Sequence, residues 1–308
     1  MLQGTNAGRA CIALLLALCA SSLIGCGQDA GNGTDQTLAP ASERFKDKAA
    51  WRLIRLQLSY GQRPAGSPQL RRLALELRDR LPHGDFERIP GEPRLRNVVG
   101  VIPGRLPALV IGAHYDTLAA PEGFLGANNG AAGTAIVIQL ARTIARLDRP
   151  PDSPEIRFVL FDGEEPPEGL PEEETDFYSI GLRGSRAYAS DHASQVGAMV
   201  LLDYVANRGL RLPREGSSSG SLWAQVRDAA AEVGAARYFP PGREVTIVDD
   251  HTPFLRAGIP AVDLIDWSYP GHDLSDTLDK LSNRSVDAVG ETLTRLIQRI
   301  DAEGLPGG

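Results

Sequence analysis

Short continuous apolar runs alternate along the chain with longer stretches in which apolar residues recur every three or four positions. The runs Leu109-Val-Ile-Gly-Ala, Glu155-Ile-Arg-Phe-Val-Leu-Phe161, Gly197-Ala-Met-Val-Leu-Leu202 and Ala261-Val-Asp-Leu-Ile265 have the length and unbroken hydrophobicity of buried strands. Asn97-Val-Val-Gly-Val-Ile-Pro103 reads as a neighbour of the first run, nearer the sheet edge. The periodic stretches predict helices over Glu43 to Leu58, Ser67 to Leu81, Gly133 to Leu147, from Gly184-Ser185 onward, Leu222 to Val233 and Ser285 to Ile300. Pro150-Pro151 stops the third helix, and the Gly/Pro content of Gly61 to Pro68 marks a rigid loop. Strands and helices alternating without internal repeats predict an α/β fold, a three-layer α/β/α sandwich on a mostly parallel, twisted central sheet.

Composition sets the scale and removes some classes. The chain has 308 residues, 42% of them hydrophobic, which suits one large globular domain. A net charge of −7, with no dense Lys/Arg run, argues against a nucleic-acid partner, because phosphate neutralisation needs clustered cations.

At the N-terminus, Arg9 precedes an apolar run from Ala10 to Leu23, too short for a permanent membrane span, that closes on Leu23-Ile-Gly-Cys26. This ending resembles the lipobox of bacterial lipoproteins and implies a signal peptide over residues 1–25 with lipid attached to Cys26. Residues 26–42 read as a polar tether and 43–305 as the folded domain. The expected location is the cell envelope, anchored at the outer face of the cytoplasmic membrane or in the periplasm. Removing the signal removes Cys11 and Cys19, which leaves neither a disulfide framework nor a thiolate metal site.

Polar residues cluster where the predicted strands end: His114 and Asp116, Asn129 after a short loop, Glu164 and Glu165, Asp203, Asp249, and His272 on the last loop. Strand ends are where open α/β sheets build their sites. A His/carboxylate set without Cys matches a catalytic zinc site with an open position, and a Mg or Ca site would not choose His. Of the five histidines, His83 in a Pro/Gly turn and His192 at a polar helix end read as surface, and His251 before Thr-Pro as a loop-shaping residue. The acidic loop with Glu168, Glu172, Glu173 and Glu174 reads as a solvated insertion.

The ordered series resembles the family of zinc aminopeptidases and glutaminyl cyclases. The matching pieces are Gly61-x-Arg-Pro-x-Gly-Ser, His114-x-Asp116, Gly126-Ala-x-x-Gly-x-x-Gly133, Phe161-Asp-Gly-Glu164-Glu165, Gly184-Ser185-Arg, Leu202-Asp203, Asp249-Asp-His251-x-Pro-Phe and His272-x-x-x-Asp276-Thr277. The resemblance implies zinc on position 129, Glu165 and His272, with position 129 bridging to a second zinc on His114 and Asp203 in the two-metal aminopeptidases. It makes Glu164 the general acid/base and gives Asp116 and Asp276 the task of orienting the ligand histidines. Peptide N-termini are the implied substrates. Trp267 and Tyr269 are candidates for a wall of the substrate pocket.

Asp249-Asp-His251 resembles the cyclase branch, where the first Asp joins Glu164 and Asp203 in an acidic relay and where N-terminal Gln closes to pyroglutamate with loss of ammonia. Aminopeptidases usually carry Ser there. Against the cyclase pattern, Gly271 stands where those enzymes place an aromatic, and the loop after Glu165 lacks their tryptophan. The family Asp at position 129 is Asn129 here, and its Thr after the last His is Asp273. A neutral amide attracts zinc less than a carboxylate and bridges two cations poorly, so one zinc is expected rather than two. Three states stay open: one weakly held zinc, a metal-poor protein that binds peptides without catalysis, or deamidation at Asn129-Gly130. Outside the family, a periplasmic-type binding lipoprotein shares only the anchor. Gly216-Ser-Ser-Ser-Gly220 imitates a serine-hydrolase elbow in a context that reads as a flexible loop.

Overall fold

A computed structural model describes residues 44–167, 169 and 176–306. The signal, Cys26, the tether and most of the acidic loop lie outside the described residues. The body of the chain is built on a six-stranded sheet in the order β1-β2-β4-β3-β5-β6. The strands are β1 (Asp85–Ile89), β2 (Glu92–Ile102), β3 (Arg105–His114), β4 (Pro154–Phe161), β5 (Val196–Asp203) and β6 (Ala261–Ile265). β4, β3, β5 and β6 run parallel, while β1 and β2 form an antiparallel hairpin added beside β4.

The period-2 alternation of side chains gives β3, β4 and β5 two apolar faces, one for each helical layer. Leu109, Ile111, Phe158, Leu160, Val200 and Leu202 face a core shared with α1 (Asp47–Leu58), α2 (Pro68–Arg78), α3 (Gly133–Ile144), α6 (Gly220–Glu232) and α8 (Asn283–Glu303). Val110, Val159, Phe161, Met199 and Leu201 face the opposite core, with Tyr188 on α5 (Arg183–His192) and Phe254 on α7 (Thr252–Arg256). A short helix α4 (Phe177–Ile180) precedes α5. The predicted three layers are thus present.

Three local readings change. β2 does not adjoin β3, because β4 lies between them. The β1 edge strand, Asp-Phe-Glu-Arg-Ile, carries three charges and shows no apolar run to mark it. The Gly216 to Gly220 loop is not free, since Glu215 accepts hydrogen bonds from the N–H groups of Ser217 and Ser218 and from both hydroxyls. Those serines are spent on a carboxylate rather than poised as nucleophiles.

Two devices fix the loops at the C-terminal strand ends. Arg63, with none of its surface exposed, donates to the carbonyls of Gly61 at 2.8 Å and Leu125 at 2.9 Å, tying the first loop to the one that carries Asn129. Burial lowers its pKa to about 10, which leaves it charged at neutral pH. Gly133 lets α3 start against β5, because a Cβ there would lie 2.3 Å from the Leu202 carbonyl oxygen. His251 is shaped into the structure as expected, its Nε2 2.9 Å from Ser217 Oγ and 3.3 Å from Glu215. His83 sits exposed in its turn, whereas His192 pairs with Glu87 and lies beside Arg157, joining α5 to the sheet edge.

Arg63→Met is predicted to cost about 3 kcal/mol in chemical denaturation, because buried carbonyls lose a charged donor. Glu215 supplies a second prediction. Burial works to raise its pKa, but the His251 and backbone N–H bonds prevail and hold it at about 2, below the usual 4.5. Its stabilisation is therefore complete above pH 4.5 and fades as pH falls towards 2. Glu215→Gln is expected to be less stable at pH 7 by about 3 kcal/mol, with the gap from wild type closing across that acid window in urea titrations.

Candidate active site

All the strand-end candidates converge. A cavity of about 340 Å³ is lined by Asn129, Glu164, Glu165, Asp203, Asp249 and His272 at its polar end, and by Phe177, Val248 and Trp267 among its apolar walls. β3 delivers His114 and Asp116, β4 delivers Glu164 and Glu165, and β5 ends on Asp203. The turn from Gly126 to α3 carries Asn129 in a non-helical conformation, φ −78° and ψ 99°, so its side chain leaves the helix axis and enters the site.

Asp116 accepts hydrogen bonds from the N–H groups of Glu164 at 3.3 Å and Glu165 at 3.2 Å, which fixes both glutamates. It also lies 3.6 Å from His114 Nδ1, in line with an orienting role. Asp276 departs from expectation. Its carboxylate accepts from the N–H groups of Asn128 and Asn129 and from the Tyr269 hydroxyl at 2.6 Å, so it anchors the asparagine turn and not a histidine. Tyr269 accordingly does not line the main cavity. It borders a neighbouring hollow with Tyr204, Trp267 and His272, while Trp267 belongs to both.

Buried negative charge dominates the electrostatics. His114 stands between Asp116, Glu164 at 3.7 Å and Asp203 at 3.5 Å. Burial alone would lower its pKa, but Glu164 and the two aspartates reverse this and hold it well above the usual value. Glu164 is pushed well above the carboxylate range, first by burial and then by Glu165. Burial raises Glu165 to about 8 against the pull of His114, and burial with Asp203 brings Asp249 to about 6. Raised out of the usual carboxylate range and 3.7 Å from the His114 ring, Glu164 is placed to exchange a proton with a substrate.

Sequence reasoning missed Tyr204. It follows Asp203 in a left-handed conformation, φ 47°, only 2% exposed, with its hydroxyl 3.3 Å from Asn129 Nδ2. The same amide group donates to Glu165 Oε1 at 3.0 Å and reaches the Gly271 carbonyl at 3.5 Å.

Zinc is tested by this donor set. Asn129 turns its NH2 group, not its carbonyl oxygen, towards Glu165, and an N–H donor offers a metal no lone pair. Among the described residues, no three or more His, Cys, Asp or Glu side chains gather to hold a metal. With a neutral residue at 129, each of the two zinc positions implied by the resemblance keeps only two of its ionisable ligands. As folded, the residues do not fit a zinc centre.

Comparison with known proteins agrees with the fold. The solved structure of an Acidobacteriales bacterium glutaminyl cyclase is 26% identical, covers 87% of this chain and 98% of its own, and superposes with a TM-score of 0.72. Aminopeptidase YwaD of Bacillus subtilis (strain 168) is 26% identical over 204 residues, 60% of this chain and 39% of the relative. A glutaminyl-peptide cyclotransferase of Boiga irregularis is 26% identical over 226 residues, 60% of each chain. The chain thus spans less than two thirds of the length of these curated relatives. The profile of Peptidase family M28 matches residues 97–297, well over half of the chain. The protein belongs to peptidase family M28.

Proposed function

We propose that this protein acts on the N-terminal residue of peptides and that its reaction is the cyclotransferase one, in which N-terminal Gln closes to pyroglutamate and releases ammonia. The observation that carries the reading is the single cavity in which Glu164, Asp203 and Asp249 meet, opposite apolar walls at Val248 and Trp267. Its volume of about 340 Å³ suits one amino-acid side chain with its amine, at the lower end of ligand pockets. The concentration of carboxylates draws a peptide's α-ammonium group inward, and the apolar walls take the residues that follow.

The proton chemistry uses the chain's own groups. The substrate's α-amine attacks its side-chain amide carbon, the new C–N bond closes the lactam, and the C–NH2 bond breaks. One proton leaves the attacking nitrogen and one joins the departing nitrogen, and Glu164 carries it from the first to the second. His114, 3.7 Å from Glu164, balances the charge as that carboxyl passes through its ionised form. Asp249 lies in the same electrostatic group as Glu164 and Asp203 and spreads the charge over the three carboxyls. We also propose that the domain works outside the cytoplasmic membrane, tethered by lipid on Cys26.

In a coupled assay, the full chain is expected to release ammonia from a Gln-peptide faster than it releases arylamine from a Leu-arylamide. The opposite order would move the assignment to hydrolysis. Glu164→Gln is predicted to lower kcat by about 100-fold or more with KM changed only a few-fold. Labelled fatty acid should enter the chain expressed in a bacterial host and be absent from Cys26→Ser.

A further inference from the structure

Tyr204 occupies space that another residue gives up. Its ring lies against Trp267, Tyr269 and His272, at centroid distances of 6.4, 5.7 and 6.0 Å. What admits it is Gly271: a Cβ at that position would stand 2.3 Å from Tyr204 Cζ and 2.6 Å from its hydroxyl oxygen. Any side chain at 271 would evict the phenol. The left-handed backbone at Tyr204, φ 47°, is disfavoured for a bulky residue and persists only where the surroundings enforce it. The strain, the missing side chain and the ring packing all serve one outcome, a hydroxyl at the edge of the catalytic cavity beside Asn129.

The hydrogen-bond polarity there is specific. Asn129 Nδ2 is the donor and the Tyr204 oxygen the acceptor, so the phenol's own proton is left over. Among the described residues that proton meets no acceptor. A hydroxyl that accepts one hydrogen bond becomes a stronger donor of the next.

We propose that Tyr204 O–H, reinforced by the Asn129 amide, is the hydrogen-bond donor to the oxygen of the substrate's reacting carbonyl, and that this pair acts there without a resident metal. The inference rests on the N-terminal Gln reading and names the group that meets the side-chain amide. A donor aimed where negative charge develops is the usual way for a protein to stabilise such an oxygen, and Asn129 prepares this one by turning its NH2 towards both Glu165 and Tyr204. No proton is transferred by Tyr204; the lactam closes and ammonia leaves with Glu164 moving the proton.

Calorimetric binding to the full chain tests this with two peptides, Gln-Ala-Ala-amide and its norleucine counterpart, whose side chain has similar length but no carbonyl. Each is measured with and without EDTA, for wild type and Tyr204→Phe, both carried on Glu164→Gln so that the Gln peptide is not consumed during the titration. The expected result is a preference for Gln of about 10-fold in wild type, unchanged by EDTA and reduced to near parity in Tyr204→Phe, with norleucine binding the same in both proteins. A role in packing alone would weaken both peptides together and would overturn the proposal. So would a full Gln preference in Tyr204→Phe, or one in wild type that EDTA removes. If neither peptide binds wild type, the N-terminal reading itself fails and the Tyr204 assignment falls with it.

Discussion

Too much negative charge in too little solvent governs this molecule. Glu164, Glu165, Asp203 and Asp249 meet in one cavity, with Asp250 and Asp263 buried close behind and the His114 ring placed among them. Charges of one sign cannot all persist at low dielectric, so some of these carboxyls hold protons at neutral pH. Every nearby structural device has the effect of keeping them together: the parallel strands that end at one edge, Asp116 accepting the two glutamate N–H groups, and Asp276 gripping the asparagine turn. The same imbalance suits the cavity to the amine of the proposed substrate.

Much of this was legible in the sequence because it depends on apolar runs that stop at polar residues. The four parallel strands and the sites at their ends follow from that pattern, as does the placement of Glu164 and Glu165 after Phe161. What escaped has physical reasons. β1 lies at an edge, so its charged residues stay wet and it carries no hydrophobic signature. The resemblance makes Asp276 a partner for a ligand histidine, but the chain turns so that its carboxylate faces backbone N–H groups instead. Tyr204 reads in sequence as one more apolar residue after a strand. Its importance depends on an empty place at Gly271, which lies in a distant part of the chain.

Asn129 gives the site its individual character. An aspartate there would add another carboxylate to an already crowded cavity and would create demand for a cation. The amide instead supplies a donor to Glu165 and to Tyr204, easing the repulsion from within. The residues at 129, 204 and 271 fit one another: a neutral donor, a phenol to receive it, and the space that phenol needs. Membership of the M28 family fixes the scaffold, while in the proposed reading these three positions determine what meets the substrate's carbonyl.

Zinc content per chain, measured by mass spectrometry after dialysis against dilute zinc for wild type and Asn129→Asp, bears most directly on this account. With the amide in the cation's place, wild type should retain well under one zinc per chain, and the aspartate variant should take up at least about one. One firmly held zinc in wild type would contradict it, showing that the Asn129 carbonyl turns inward to the metal and that the site works as its relatives' sites do.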